Sequence, residues 1–202
     1  MNLELESENV MLLVVDMQNG FLSADGGIAK LGFDYKMLTK AIPGCLKLVK
    51  LARERNIPIG FTRYIYRKDF SDGGVQVNDI FPGIRDVGLC KEGTFDADII
   101  DELTPLEKDL VIEKNRPSSF FSTRLESYLR ALKIQSLVIC GVTTNICVET
   151  TARDSAQRDY KTYVIKDAVA EVDSFRHEIS LKALEHMFAK ILTVNEVEQF
   201  WN

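Results

Sequence analysis

The sequence predicts an α/β fold, a three-layer α/β/α open sheet of about six mainly parallel strands, built as one domain over residues 1–202. Three observations carry this. Apolar runs that do not alternate, such as Val10-Met-Leu-Leu-Val-Val and Leu137-Val-Ile-Cys140, mark strands buried on both faces, and such strands belong to parallel sheets covered by helices. Strand-like and helix-like segments alternate along the whole chain, as βα succession requires. No repeat or linker divides the 202 residues, of which 46% are hydrophobic, enough for one sizeable core.

The elements follow in order. The first strand starts at Val10 and ends in a carboxylate, Asp16. A Gly- and Ser-rich loop, Gly20 to Gly32, precedes a helix from about Tyr35 to Asn56. Pro43-Gly44 inside that helix is compatible with a proper start only at Pro43, because proline suits a first helical turn. Ile57 to Thr62 is the second strand. The insertion from Arg67 to Lys91, with Gly73-Gly74 and Pro82-Gly83, is too long for an idle connection and is expected to form part of a substrate lid. A short helix near Ala97 to Leu103 leads to the strand Leu110 to Lys114, which ends in a lysine. Then come helix Ser122 to Leu132, strand Ser136 to Cys140, helix Asn145 to Arg158, strand Lys161 to Ile165, helix Ser174 to Ala189 and strand Lys190 to Val194.

In parallel sheets, ligands bind at the carboxyl ends of the strands. Asp16, Lys114 and the turn before Cys147 all belong to that edge. Cys147 stands where a strand becomes a helix, and a helix start offers free N–H groups and partial positive charge that acidify a thiol. By itself it reads better as a small hydrophobe. Together with Asp16 and Lys114 it reads as a nucleophile, with a carboxylate as base and a lysine to stabilise the thiolate. The only histidines, His177 and His186, lie in a late helical segment and read as structural or solvated. Cys45, Cys90, Cys140 and Cys147 have neither metal-type nor disulfide-framework spacing.

Three motifs act in combination: Val15-Asp16-Met17-Gln18-Asn19, Lys114 with Ser119-Phe120-Phe121-Ser122-Thr123, and the run from Gly141 to Asp154. From about Val10 to about Val194 the chain resembles the isochorismatase-like cysteine hydrolase superfamily, with motifs nearest to ureidoacrylate/biuret-type and carbamoylsarcosine-type amidohydrolases. The resemblance implies Asp16 as general base, Lys114 as charge partner and Cys147 as nucleophile. It also implies a non-proline cis peptide at Val142–Thr143, which turns the Thr143 amide toward the oxyanion beside that of Cys147. The activity it implies is cleavage of a C–N bond in a small linear amide, ureido or carbamoyl compound through a thioester. The alternative is an enol-ether hydrolase of the isochorismatase type that releases pyruvate; retention of Cys147 favours amide cleavage. An intact set of three opposes a non-catalytic scaffold. Nicotinamidases carry a metal-binding Asp and paired histidines after the second strand; the stretch from Phe61 to Asp79 has no histidine, so neither metal nor cofactor is expected. Pro117 stands where ureido-hydrolysing relatives usually carry a tyrosine.

Phe21 and Phe120 are candidate pocket walls. Arg63 and Arg67 follow the second strand, and arginine grips carboxylates through paired hydrogen bonds, so they are candidate contacts to a polar or anionic far end of the substrate. Glu149 is assigned a structural or interface role. A net charge of −5 opposes a nucleic-acid or anionic-membrane partner. With no long apolar segment and no basic amino-terminal region, the chain reads as cytoplasmic. A homodimer or homotetramer is expected.

Overall fold

The computed structural model describes residues 9–201. Six strands, β1 (Val10–Val15), β2 (Ile59–Tyr64), β3 (Leu110–Lys114), β4 (Ser136–Val142), β5 (Lys161–Ala170) and β6 (Lys190–Leu192), form one sheet in the order β3-β2-β1-β4-β5-β6. Every pairing is parallel. The chain winds outward from β1 through β2 to β3, then returns to the other side of β1 as β4. The order therefore reverses between β1 and β4, and a reversal of this kind opens a crevice beyond the carboxyl ends of the strands. β1 and β4 are buried along their whole lengths, which is why their sequences are apolar without alternation.

The helices are α1 (Asn19–Leu22), α2 (Gly27–Lys30), α3 (Tyr35–Thr39), α4 (Ile42–Glu54), α5 (Gly83–Val87), α6 (Leu125–Ala131), α7 (Glu149–Ala156), α8 (Ser174–Met187) and α9 (Val194–Trp201). α4 buries Cys45, Leu48, Val49, Leu51 and Ala52, a stripe at helical spacing that faces the sheet.

Several expected boundaries move. The helix expected over residues 35–56 is two, α3 and α4, because Pro43 has no N–H to give to the carbonyl of Thr39 and starts a new helix instead. β2 starts two residues later than expected, past Pro58. The helix expected near residues 97–103 is two short 3-10 turns, Phe95–Ala97 and Asp101–Leu103. α9 was not foreseen; it buries Val194, Val197 and Trp201 and packs against α4. β5 is twice the expected length. Its register with β4 advances five residues, Val164 to Val169, while β4 advances two, Ile139 to Gly141. This bulge carries Ala170 to a position opposite Val142 at the functional edge. Among the described residues no helix is long and apolar enough to cross a membrane.

Candidate active site

Asp16 directly follows β1 and is fully buried, in a left-handed conformation with φ 49°. Its amide donates to Thr62 Oγ1 at 3.0 Å, and the Thr62 hydroxyl donates back to Asp16 Oδ1 at 2.5 Å. One carboxylate oxygen is thereby held by β2, leaving Oδ2 for chemistry. Lys114, the last residue of β3, places Nζ 2.7 Å from that Oδ2. To do so it reaches across β2, with Nζ 4.2 Å from the Tyr64 ring centroid. The same Nζ donates to the carbonyls of Arg116 (3.2 Å) and Pro117 (3.0 Å) and to Cys147 Sγ at 3.4 Å. Burial pulls the Lys114 pKa down, but Asp16 and Cys147 more than offset this and hold it above the ordinary lysine value. Both partners thus favour its ammonium form.

Cys147 reaches the same point from β4. Gly141 has φ 113°, and a Cβ there would sit 2.1 Å from the Val15 carbonyl oxygen, so only glycine lets β4 pass this close to β1. The Val142–Thr143 peptide is cis. A wide π-type turn, Thr144–Val148, then precedes α7, and the Thr143 carbonyl accepts from Ile146 N (3.3 Å) and Val148 N (3.1 Å). Cys147 is 3% exposed. Burial pushes its thiol pKa up, the Lys114 ammonium pulls it down, and the Asp16 charge and hydrogen bond push it up again. The net direction is above the ordinary thiol range. Desolvation and the adjacent carboxylate thus oppose the acidification expected from the helix start and the cation.

Cys147 opens onto a cavity of about 260 Å³ lined by Phe21, Ile28, Tyr64, Tyr66, Gln76, Ile80, Phe81, Ile84, Leu89, Cys90, Pro117, Thr143, Ile146 and Cys147. None of these side chains is charged at neutral pH. Residues 76–90 of the insertion supply much of the wall, from the turn Gln76–Ile80 through α5 to Cys90. A larger depression of about 490 Å³ lies between Tyr160–Tyr163 and Glu185–Lys190, at the amino ends of β5 and β6. The three converging residues and the strand polarity both mark the smaller cavity as the site.

Of the residues singled out in the sequence, Phe21, Thr143 and Cys147 line the cavity, Val142 precedes them, and Asp16 and Lys114 lie directly behind the thiol. Three others are placed elsewhere. Phe120 is core: its ring stacks on Tyr160 with centroids 6.0 Å apart and the Arg158 guanidinium 4.9 Å away. Arg63 is turned to the other face of the sheet, because side chains alternate along β2 and Thr62 and Tyr64 take the catalytic face. There its Nε donates to Ala97 O at 3.2 Å, and it pairs with Asp98 and Glu113, each at 3.4 Å. Arg67 is exposed, 3.9 Å from Asp69, with its amide bound by Asp72.

Sequence reasoning assigned no role to Gln18, Gln76 or Glu171. Gln18 is fully buried; its Nε2 donates to the carbonyls of Tyr64 and Ala97, both at 2.9 Å, and its Oε1 accepts from Tyr64 N at 2.6 Å, tying the ends of β1 and β2 together. Its signal was a polar amide two residues after a strand-terminal carboxylate. Glu149 pairs with Arg153 at 2.7 Å and accepts from Ser180 at 2.5 Å, so it joins α7 to α8. His177 Nδ1 lies 2.9 Å from Thr144 Oγ1, a structural contact to the catalytic turn. Among the described residues no group of three or more His, Cys, Asp or Glu side chains is placed to hold a metal ion.

The Isochorismatase domain description matches residues 10–196. The chain belongs to the isochorismatase family. Among relatives of this family hydrolase, the ureidoacrylate amidohydrolase RutB of Cronobacter turicensis is 34% identical over 206 residues, covering 96% of this chain and 87% of its own. A cysteine hydrolase from Pseudomonas syringae pv. phaseolicola has the same fold, with a TM-score of 0.90 at 28% identity over 99% of this chain and 95% of that one. N-carbamoylsarcosine amidase from Thermoplasma acidophilum is similar with a TM-score of 0.75 at 27% identity, over 93% and 97% of the two chains.

Proposed function

We propose that this isochorismatase-family hydrolase is a cysteine amidohydrolase that cleaves the C–N bond of a small, neutral amide, ureido or carbamoyl compound through a thioester. One observation carries the reading: a buried ammonium 2.7 Å from the Asp16 carboxylate and 3.4 Å from the Cys147 sulfur, at the end of a closed-in cavity. The relatives named as a ureidoacrylate amidohydrolase and a carbamoylsarcosine amidase support the same reaction class.

In this mechanism Asp16 takes the thiol proton as Sγ bonds to the carbonyl carbon, whose π electrons move onto oxygen. We assign the resulting oxyanion to backbone amides of the catalytic turn at Thr143 and Cys147. Collapse breaks the C–N bond while Asp16 returns the proton to the departing nitrogen, so ammonia or an amine leaves and a thioester remains. Water then attacks the thioester and gives a proton to Asp16. The second collapse expels the thiolate, which recovers that proton. Lys114 stays charged throughout and offsets whichever of Asp16 and Cys147 is the anion.

The shape and polarity of the cavity narrow the substrate. A cavity of about 260 Å³ suits a small compound. The lining side chains include no Lys or Arg to pair a carboxylate, and burying an unpaired charge costs several kcal/mol. The far wall instead offers a directed set of dipoles: the Tyr66 hydroxyl donates to Tyr64 Oη at 3.0 Å, and Tyr64 donates to Gln76 Oε1 at 3.2 Å. We assign the Gln76 amide N–H group to an acceptor on the substrate. The word ureidoacrylate denotes an anion; the uncharged lining here favours a neutral ureide.

The test is ammonia release from a panel of small amides, ureas and carbamoyl compounds, both neutral and acidic. Neutral members of ureide size should be turned over best. Pyruvate release from isochorismate, undiminished in Cys147→Ala, would overturn the reading in favour of enol-ether hydrolysis.

A further inference from the structure

We propose that Glu171, which no catalytic step uses, is a positioning residue that fixes the turn carrying Cys147 from the end of β5. The proposal rests on the cysteine amidohydrolase reading for its kinetic arm. Its basis is the bulge in β5. By pairing Ala170 with Val142, the bulge brings the next residue of each strand, Glu171 and Thr143, abreast at the edge of the sheet. Glu171 is 4% exposed there, an unusual place for a carboxylate without a catalytic task.

The two carboxylate oxygens do different things. Oε2 accepts from Asn145 N at 3.2 Å, one of the amides that a helical turn leaves without an internal partner. Oε1 accepts from Val172 N at 3.0 Å, and Arg176 of α8 approaches it at 3.8 Å. The buried Thr143 hydroxyl, with no full hydrogen bond of its own, acts on the same carboxylate. One residue further on, Thr144 Oγ1 meets His177. Thr144 and Asn145 are thus each held from the β5–α8 side, with Thr143 beside Glu171, and the amides and thiol that follow are placed by them. A displacement of this turn by an ångström would move the sulfur and both assigned oxyanion donors together.

The arrangement also ties the turn to pH. Two N–H groups need an ionised acceptor, and burial holds the Glu171 carboxyl above the ordinary glutamate range. Arg176, itself 4.0 Å from Asp173, is the charged side chain facing it from α8; His177 faces Thr144. Residues 143–147 of the turn bring no charge. As pH falls through the raised pKa, the carboxyl gains a proton and one acceptor is lost.

The decisive measurement is the rate of Cys147 alkylation by iodoacetamide, followed by mass spectrometry from acid to neutral pH, which needs no substrate. Thermal melting checks the fold. Glu171→Gln, with one acceptor oxygen and no titration, should alkylate roughly 10-fold more slowly at neutral pH than the unaltered protein. The acid side of its profile should also change shape, and Glu171→Asp should bring that shape back. On any amide that the panel identifies, kcat should fall with KM nearly unchanged. A folded Glu171→Gln with the alkylation profile of the unaltered protein would overturn the proposal. So would a lowered melting temperature with unchanged alkylation of the folded form. If the unaltered protein releases no ammonia from any amide while alkylation still responds to Glu171, the amidohydrolase reading fails and the positioning role stands.

Discussion

The floor and the lid of the cavity are built on opposite plans. The floor takes one side chain from the end of each of three structures: β1, β3 and the turn after β4. Those structures are locked by parallel ladders and by paired buried groups such as Thr62 with Asp16. The lid is made of short pieces, the turn Gln76–Ile80 and the five-residue α5, and leaves Val75, Ile80 and Phe81 at 59%, 72% and 39% exposure. Rigid elements can hold reacting atoms to a fraction of an ångström, whereas a loop can change its lining without disturbing them. On the proposed reading, reaction class resides in the floor and substrate choice in the lid.

That division is broken most severely at the floor. Cys147→Ala should remove amide hydrolysis altogether, because among the described residues Cys147 is the thiol that the Lys114 ammonium meets, at 3.4 Å. Asp16→Asn, which keeps shape but not basicity, should lower kcat by about 10²–10⁴-fold, the usual worth of a positioned base. Ammonia release by the purified variants measures both. Residual turnover in Asp16→Asn within tenfold of the unaltered protein would assign the base elsewhere.

The state of the thiol offers the next test. Burial and Asp16 raise the Cys147 pKa, so the proton is lost only as pH climbs above the usual thiol range. Alkylation of Cys147 should accordingly keep rising from neutral into alkaline pH. A plateau by neutral pH would reveal an acidified thiolate and return the helix start to prominence.

At the lid the expected effects are smaller and selective. Gln76→Leu should lower kcat/KM about tenfold for a neutral ureide with a far-end carbonyl, the value of one hydrogen bond lost to a dry site. An alkylurea of equal size, which has no such acceptor, should be spared. Biuret against propylurea is a suitable pair, and equal losses on both would remove Gln76 from recognition.

The smallest effects belong to the arginines. Arg63→Ala and Arg67→Ala should leave the ratio of acidic to neutral substrate turnover unchanged, and Arg67→Ala should shift stability by less than about 1 kcal/mol, as for other exposed pairs. A selective loss on acidic substrates would show that these side chains reach the cavity after all.

Legibility follows the same division between floor and lid. Asp16 and Lys114 were readable because each interrupts an apolar run at its last position, and Cys147 because it follows a strand and opens a helix. These are local signals. Phe120 misled because its ring packs on Tyr160 and Arg158, far away in the chain, and Arg63 because it adjoins Thr62 and Tyr64 on β2 but faces away from them. Neighbouring positions on a strand point to opposite sides, and the pairing of Arg63 with Glu113 on β3 decides which side is which. Gln18 offers only an amide two residues past Asp16, and Gln76 and Glu171 carry no local signal. Their partners lie 46 and 79, 12, and 26 residues away.

By itself the sequence determined the parallel α/β sheet and the placing of Asp16, Lys114 and Cys147 at its carboxyl edge, because apolar runs and their terminal residues follow from short-range periodicity. It could not determine the direction in which the surroundings push the thiol pKa, which depends on how much water three separate strands exclude. Nor could it determine the neutrality of the cavity or the bracing of the catalytic turn by Glu171. Both arise from the β5 bulge, the alternation along β2 and the path of the lid, and these bring together residues whose only relation is their distance in the folded chain.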